Sequence, residues 1–227
     1  MKQTLKTSRL VGLLALLTGF MAFGASAAQA EGTWLKNGVA ITSSIPIQAE
    51  AESELIILTK VGLSKVEILC TEFKLVGANL EVVGRGSGKI HVQGCLTKLN
   101  GTVTSKCKPH SPSAIEGLIE TNAVHWLLRL HTGGIEVVEV LPTEAGGRFV
   151  TLQLGTGECA IGNNIEVTGK IFLKECNNEL LVDKVKHLFE EGPLSELRFG
   201  ANAMTIDGSQ LWFLSAPNLG STWAGHV

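Results

Sequence analysis

The chain has 227 residues, of which 44% are hydrophobic and only 18% charged, with a net charge of −2. That balance excludes an intrinsically disordered chain, and the lack of a basic block argues against a nucleic-acid partner. No apolar run after residue 30 approaches the roughly 18 residues a membrane helix needs, so no membrane span is expected once the leader is removed.

Residues 1–30 read as that leader, an export signal. Lys2, Lys6 and Arg9 give a positive start, Leu10 to Phe23 an apolar run, and Ala28-Gln29-Ala30 a small-x-small site, so cleavage is predicted after Ala30. The signal holds three of the 19 basic residues and none of the 21 acidic ones, which leaves 197 residues with a net charge of −5. They are expected to form one β-rich domain over 31–227, with a split near residue 115 as the alternative. With no cysteine at the cleavage site and no apolar tail, neither lipoprotein nor glycolipid anchoring is expected.

Beyond the signal, apolar and polar residues alternate with period two, the pattern of strands with one buried face. Glu50, Glu52 and Glu54 would share one side of an extended chain; they read as a solvated acidic face rather than a calcium site. Val66-Glu67-Ile68, Leu80-Glu81-Val82 and Lys89 to Val92 follow. Val124 to Leu130 turns Val124, Trp126, Leu128 and Leu130 inward, with His125 and Arg129 outward. After Ile135 to Val140 and Val150 to Leu154 comes a longer run, in which Ile165, Val167, Gly169, Ile171 and Leu173 share a face. Leu211 to Leu214 reads as a buried closing strand.

Turn signals separate these runs: Asn37-Gly38, Gly84 to Gly88, Asn100-Gly101, Gly133-Gly134, Gly146-Gly147 and Gly162-Asn163-Asn164. Strands at such spacing predict an all-β fold, an antiparallel sandwich with a barrel as the alternative. One stretch is ambiguous. Over residues 181–191, Leu181, Val182, Val185, Leu188 and Phe189 fall at helical spacing, which Asn177-Asn178 and Gly192-Pro193 would bound. Val185, His187 and Phe189 also alternate as a strand would.

The signal and five short motifs together resemble a group of exported bacterial all-β proteins with four recurring cysteines and no assigned function. The motifs are Trp34-Leu35-Lys36-Asn37-Gly38, Ile68-Leu69-Cys70 with Gly94-Cys95, Cys107 before a Pro/Ser loop, Ile119-Glu120-Thr121-Asn122, and Cys159 followed by Val167-Thr168-Gly169. The resemblance implies a secreted β domain and carries over no catalytic residue. It marks Cys70, Cys95, Cys107 and Cys159 as disulfide candidates, and Cys176, outside its pattern, as the candidate free thiol.

Five cysteines in the exported part suit an oxidising compartment, and their odd number leaves one unpaired. Four allow three connectivities; Cys95 and Cys107 flank the Asn100-Gly101 turn and could close a short loop, leaving Cys70 to join Cys159. Cys107 and His110 have a Cys-x-x-His spacing, but no four-ligand zinc set accompanies it. His125 and His131 lie roughly 20 Å apart along a strand, too far to share a metal.

Hydrolytic chemistry finds little support. Ser87, in Gly84-Arg85-Gly86-Ser87-Gly88, misses the Gly-x-Ser-x-Gly elbow by one position. The same segment fails as a phosphate loop, with Val83 and Ile90 at its defining positions. Asp183 and His187 would touch only if the 181–191 helix forms, with Ser195 a few residues beyond. Tyrosine is absent, and of the four tryptophans only Trp223 is placed where exposure could serve a glycan.

The expected product is a secreted, periplasmic or cell-envelope protein that acts as a non-catalytic binding or structural module. Neither a cofactor nor a metal is called for. Its partner would be a protein, a glycan or another envelope component, with self-association an option through an open sheet edge or Cys176. Two rivals are kept: an exported glycosidase-like hydrolase built on two glutamates, and a barrel holding a small apolar ligand.

Overall fold

A computed structural model of the chain describes residues 31–131, 133–144, 146–155, 158–174, 180–189 and 196–227. The export signal with its cleavage site, Cys176 and Ser195 lie outside the described residues. Within them every regular element is a strand.

The chain opens with β1 (Thr33–Lys36) and β2 (Val39–Ala40) and enters the main sheet at β3 (Ile45–Ala51). It crosses to a second sheet for β4 (Leu55–Val61) and β5 (Ser64–Cys70), then returns with β6 (Glu72–Glu81) and β7 (Arg85–Gln93). The second sheet takes β8 (Leu96–Leu99), β9 (Thr102–Thr104) and β10 (Pro109–His110); the main sheet takes β11 (Ile119–Glu120), β12 (Val124–His131) and β13 (Ile135–Pro142). Next come β14 (Arg148–Leu154) and β15 (Ile165–Thr168) in the second sheet, and β16 (Ile171–Lys174) and β17 (Lys184–Phe189) in the first. Last are β18 (Arg198–Phe199) and β19 (Asn202–Asp207) in the second sheet, β20 (Ser209–Leu214) in the first, and β21 (Trp223–His226).

All pairings are antiparallel, as the alternation predicts. Between the two expected architectures, the main sheet takes the barrel. It runs β7-β12-β13-β16-β17-β20-β3-β6, and β6 pairs back onto β7, so eight strands close. The second sheet stays open, in the order β10-β14-β15-β18-β19-β4-β5-β8-β9. Its edge strands β9 and β10 are consecutive in the chain, and the five steps from Thr104 to Pro109 reach at most roughly 18 Å, which forces the sheet to curl into a half-barrel. A small sheet of β2, β1 and β21 caps the barrel, with Trp34 Nε1 donating to the Arg85 carbonyl at 2.7 Å.

The barrel interior is packed rather than hollow. Trp126 and Trp212 meet edge to face, 5.3 Å between centroids, among Ile47, Leu80, Leu128 and Val185. Gly86 makes this packing fit: a Cβ there would lie 2.0 Å from Trp126 Nε1. Glycine is therefore needed inside β7, and the turn predicted over Gly84 to Gly88 is confined to the residues before Arg85. The outward faces of the same strands carry Lys74, Lys89, His91, His125 and Lys186 together with Val76, Leu211 and Phe213. No described helix is long and apolar enough to cross a membrane.

Three further expectations are corrected. The possible helix over 181–191 is strand β17 where it is described: Val185, His187 and Phe189 are buried, while Lys184 and Lys186 reach outward to Glu50 (2.6 Å) and Glu52 (3.0 Å). Those ion pairs also neutralise two members of the Glu50–Glu52–Glu54 stripe. The single long strand expected through Ile165 and Leu173 is two strands in different sheets, broken at Gly169 (φ 111°), where a Cβ would lie 2.2 Å from the Glu196 carbonyl oxygen. Finally, the disulfides join Cys70 to Cys95 and Cys107 to Cys159, not Cys95 to Cys107. Strand β5 pairs directly with β8, which brings Cys70 beside Cys95; the β6–β7 hairpin leaves the sheet between them and returns.

Candidate functional site

Four residues singled out for chemistry are taken up by the fold. Cys107 is in a disulfide, so it offers no zinc ligand to pair with His110. Ser87 Oγ donates to Glu81 Oε1 at 2.6 Å on the barrel surface. Trp223 is fully buried, 6.0 Å from Trp34, which removes the surface proposed for a glycan. His187 lies inside the barrel with its ring 4.5 Å from that of Trp212, while Asp183 stays outside β17, so the two do not form a dyad.

His187 is nevertheless the most perturbed titratable group described. Burial pushes its pKa down to about 3, opposed by its hydrogen bond to the Val185 carbonyl. Nδ1 lies 3.3 Å from that oxygen, so the neutral ring carries its proton there and Nε2 is left as an unpaired acceptor. His125 and His131 sit on the outer face of β12, and His131 packs edge-on against Phe172 at 5.1 Å. Among the described residues no group of three His, Cys, Asp or Glu side chains is placed to hold a metal.

Several of the described glutamates form ion pairs. Glu139, only 2% exposed, accepts from Arg129 at 2.5 Å and faces Lys170 at 3.5 Å. On the seam between barrel and half-barrel, a cleft of about 700 Å³ has Glu144 and Glu196 in its wall. Arg148 grips Glu144 with two nitrogens and reaches Glu166 at 2.9 Å; the first of these pairs does most to raise the guanidinium pKa. Glu196 stands largely exposed, 3.7 Å from Lys170.

A second cleft on the seam, about 520 Å³, lies where β7 and β11 approach β14. Alternation on β7 turns Lys89 and His91 into it, and β11 adds Glu120, whose carboxylate is 3.5 Å from His91 Nε2. Lys89 has no ion-pair partner among the described residues. Ser111 also lines this cleft, but its Oγ accepts the Glu120 backbone N–H at 3.0 Å and makes no hydrogen bond with His91, so no nucleophile–base pair is assembled.

Directly inside the same wall is an apolar cavity of about 60 Å³, lined from β7 by Ile90 and Val92, from β14 by Val150 and Leu152, and from the far side by Ile206 and Phe189. It sits where the barrel mouth meets the half-barrel, not in the barrel lumen, which the tryptophans fill. The Ile119-Glu120-Thr121-Asn122 motif borders both compartments, but nothing in the sequence pattern brings it together with β7 and β14. Lys89 to Val92 reads as an ordinary strand, and the cleft exists only because two sheets part there.

Fold and site together define an all-β protein stapled by two disulfides, with a closed barrel seated on a curled second sheet. Comparison with protein-family models, with curated proteins and with solved structures finds no match to this chain. The disulfides are compatible with an extracytoplasmic location.

Proposed function

We propose that the chain is an exported, extracytoplasmic and non-catalytic binding module of bacterial origin, akin to the group its motifs resemble, and that it recognises its partner at the Lys89 cleft. The observation that carries this reading is the contrast within that cleft. It offers a cation with no ion-pair partner among the described residues beside a hydrogen-bonding wall, while its serine makes no hydrogen bond with the histidine that Glu120 approaches. The ion-paired glutamates speak against the glycosidase-like alternative in the same way.

The test is the intact mass of the exported protein, alkylated before and after reduction, together with turnover assays on ester, phosphate and glycoside substrates. A chain beginning at Glu31 with four protected cysteines and one alkylated cysteine, inert toward all three substrates, is expected. Five free thiols on an uncleaved chain, or turnover lost in Ser111→Ala or His91→Gln, would overturn the proposal.

A further inference from the structure

The polar cleft and the apolar cavity are neighbours across one wall, and Thr121 and Val150 line both. The alternation that turns Lys89 and His91 outward turns Ile90 and Val92 inward, so β7 furnishes a charged side to one compartment and a greasy side to the other. β11 is laddered only to β7, and β14 only to β10 and β15; Asn122 bridges the two, its N–H donating to the Phe149 carbonyl (2.6 Å) and its Nδ2 to the Arg148 carbonyl (3.1 Å). Thr121 Oγ1 accepts the Ile90 N–H at 2.9 Å, which leaves its own hydroxyl proton to donate.

We propose that this double compartment binds a short unbranched aliphatic carboxylate. The head takes the Lys89 ammonium and the Thr121 hydroxyl in the cleft, and the chain passes between Thr121 and Val150 into the cavity. An ammonium and a hydroxyl suit an anionic head, and a wall without polar surface suits a tail with none. The cavity sets the length. A dry cavity of roughly 150 Å³ accommodates benzene, so about 60 Å³ has room for only a few carbons. This rests on the binding-module reading and names its ligand.

The experiment is calorimetric titration of the disulfide-bonded protein with the series from acetate to octanoate, with 1-pentanol as the uncharged probe and methyl NMR of Ile90 and Val92 to place the tail. Affinity is expected to rise by roughly fourfold per added methylene and to level off near hexanoate. Lys89→Gln should weaken hexanoate at least several-fold while leaving 1-pentanol unchanged, and Val92→Ile should bring the plateau one carbon earlier. Affinity independent of chain length, Lys89→Gln without effect on hexanoate, or no saturable binding of hexanoate would overturn the inference. In those cases an inert, exported, disulfide-bonded chain would still leave the module reading standing, whereas hydrolysis of methyl hexanoate at this site would remove the module reading itself.

Discussion

The neutral histidine inside the barrel makes stability depend on pH in a window that can be worked out beforehand. The unfolded chain protonates His187 near pH 6.5, whereas the native chain holds it neutral down to about pH 3, because burial disfavours the imidazolium. Below pH 6.5 the unfolded state therefore binds the extra proton, and stability falls as pH falls through this window. One pKa unit corresponds to about 1.4 kcal/mol, so the loss is about 2 kcal/mol at pH 5, about 4 kcal/mol at pH 3, and levels off near about 5 kcal/mol below that. Glu52, Glu67 and Glu116, whose pKa values are lowered mainly by hydrogen bonds to Ser209, Lys65 and Lys108, begin to matter only below about pH 4.5. Urea unfolding at pH 7.5 and pH 5, on the wild type and on His187→Gln, isolates the histidine. The wild type should lose about 2 kcal/mol more than the variant between those pH values. Equal losses in both proteins, or a His187 ring resonance that titrates near pH 6.5 in the native state, would refute the reasoning.

Three other outcomes are expected. Non-reducing peptide mapping should recover Cys70 with Cys95 and Cys107 with Cys159, and reducing either bridge should cost about 3–4 kcal/mol for loops of 25 and 52 residues, read from shifts in the urea midpoint. Gly86→Ala should destabilise by about 3 kcal/mol or prevent folding, since the new methyl has only the space already taken by the Trp126 indole; a melting temperature within a degree or two of wild type would contradict it. Arg129→Met should cost about 3 kcal/mol in urea unfolding by depriving buried Glu139 of its closer partner, and adding Glu139→Leu should restore most of the loss.

The alternation of residues carried the fold class and much of the burial, because a strand with one wet face must repeat every two positions. Val124, Trp126 and Leu128 face the core as their spacing predicts. Closure of the barrel was not legible, since it depends on partners such as Ala49 and Trp212, which meet across most of the chain. At residues 184–189 local spacing served helix and strand equally, and pairing with β20 decided between them. Disulfide connectivity failed for a related reason: closing the shortest loop ignores that β5 and β8 are neighbours while the residues between them visit another sheet. The candidate site was the least legible part, because Lys89, Thr121 and Val150 form no motif and are assembled by the seam alone.

The small capping sheet has a consequence for the order in which the molecule is made. Its β1 and β21 strands come from opposite ends of the described chain, with Trp34 level with Gly225 and Lys36 with Trp223. A ribosome delivers the first of these long before the second. The cap therefore cannot form before residues 223–226 are made, and such long-range pairing is intrinsically slow. The barrel end under Trp34 therefore stays uncapped until residues 223–226 have been delivered to it.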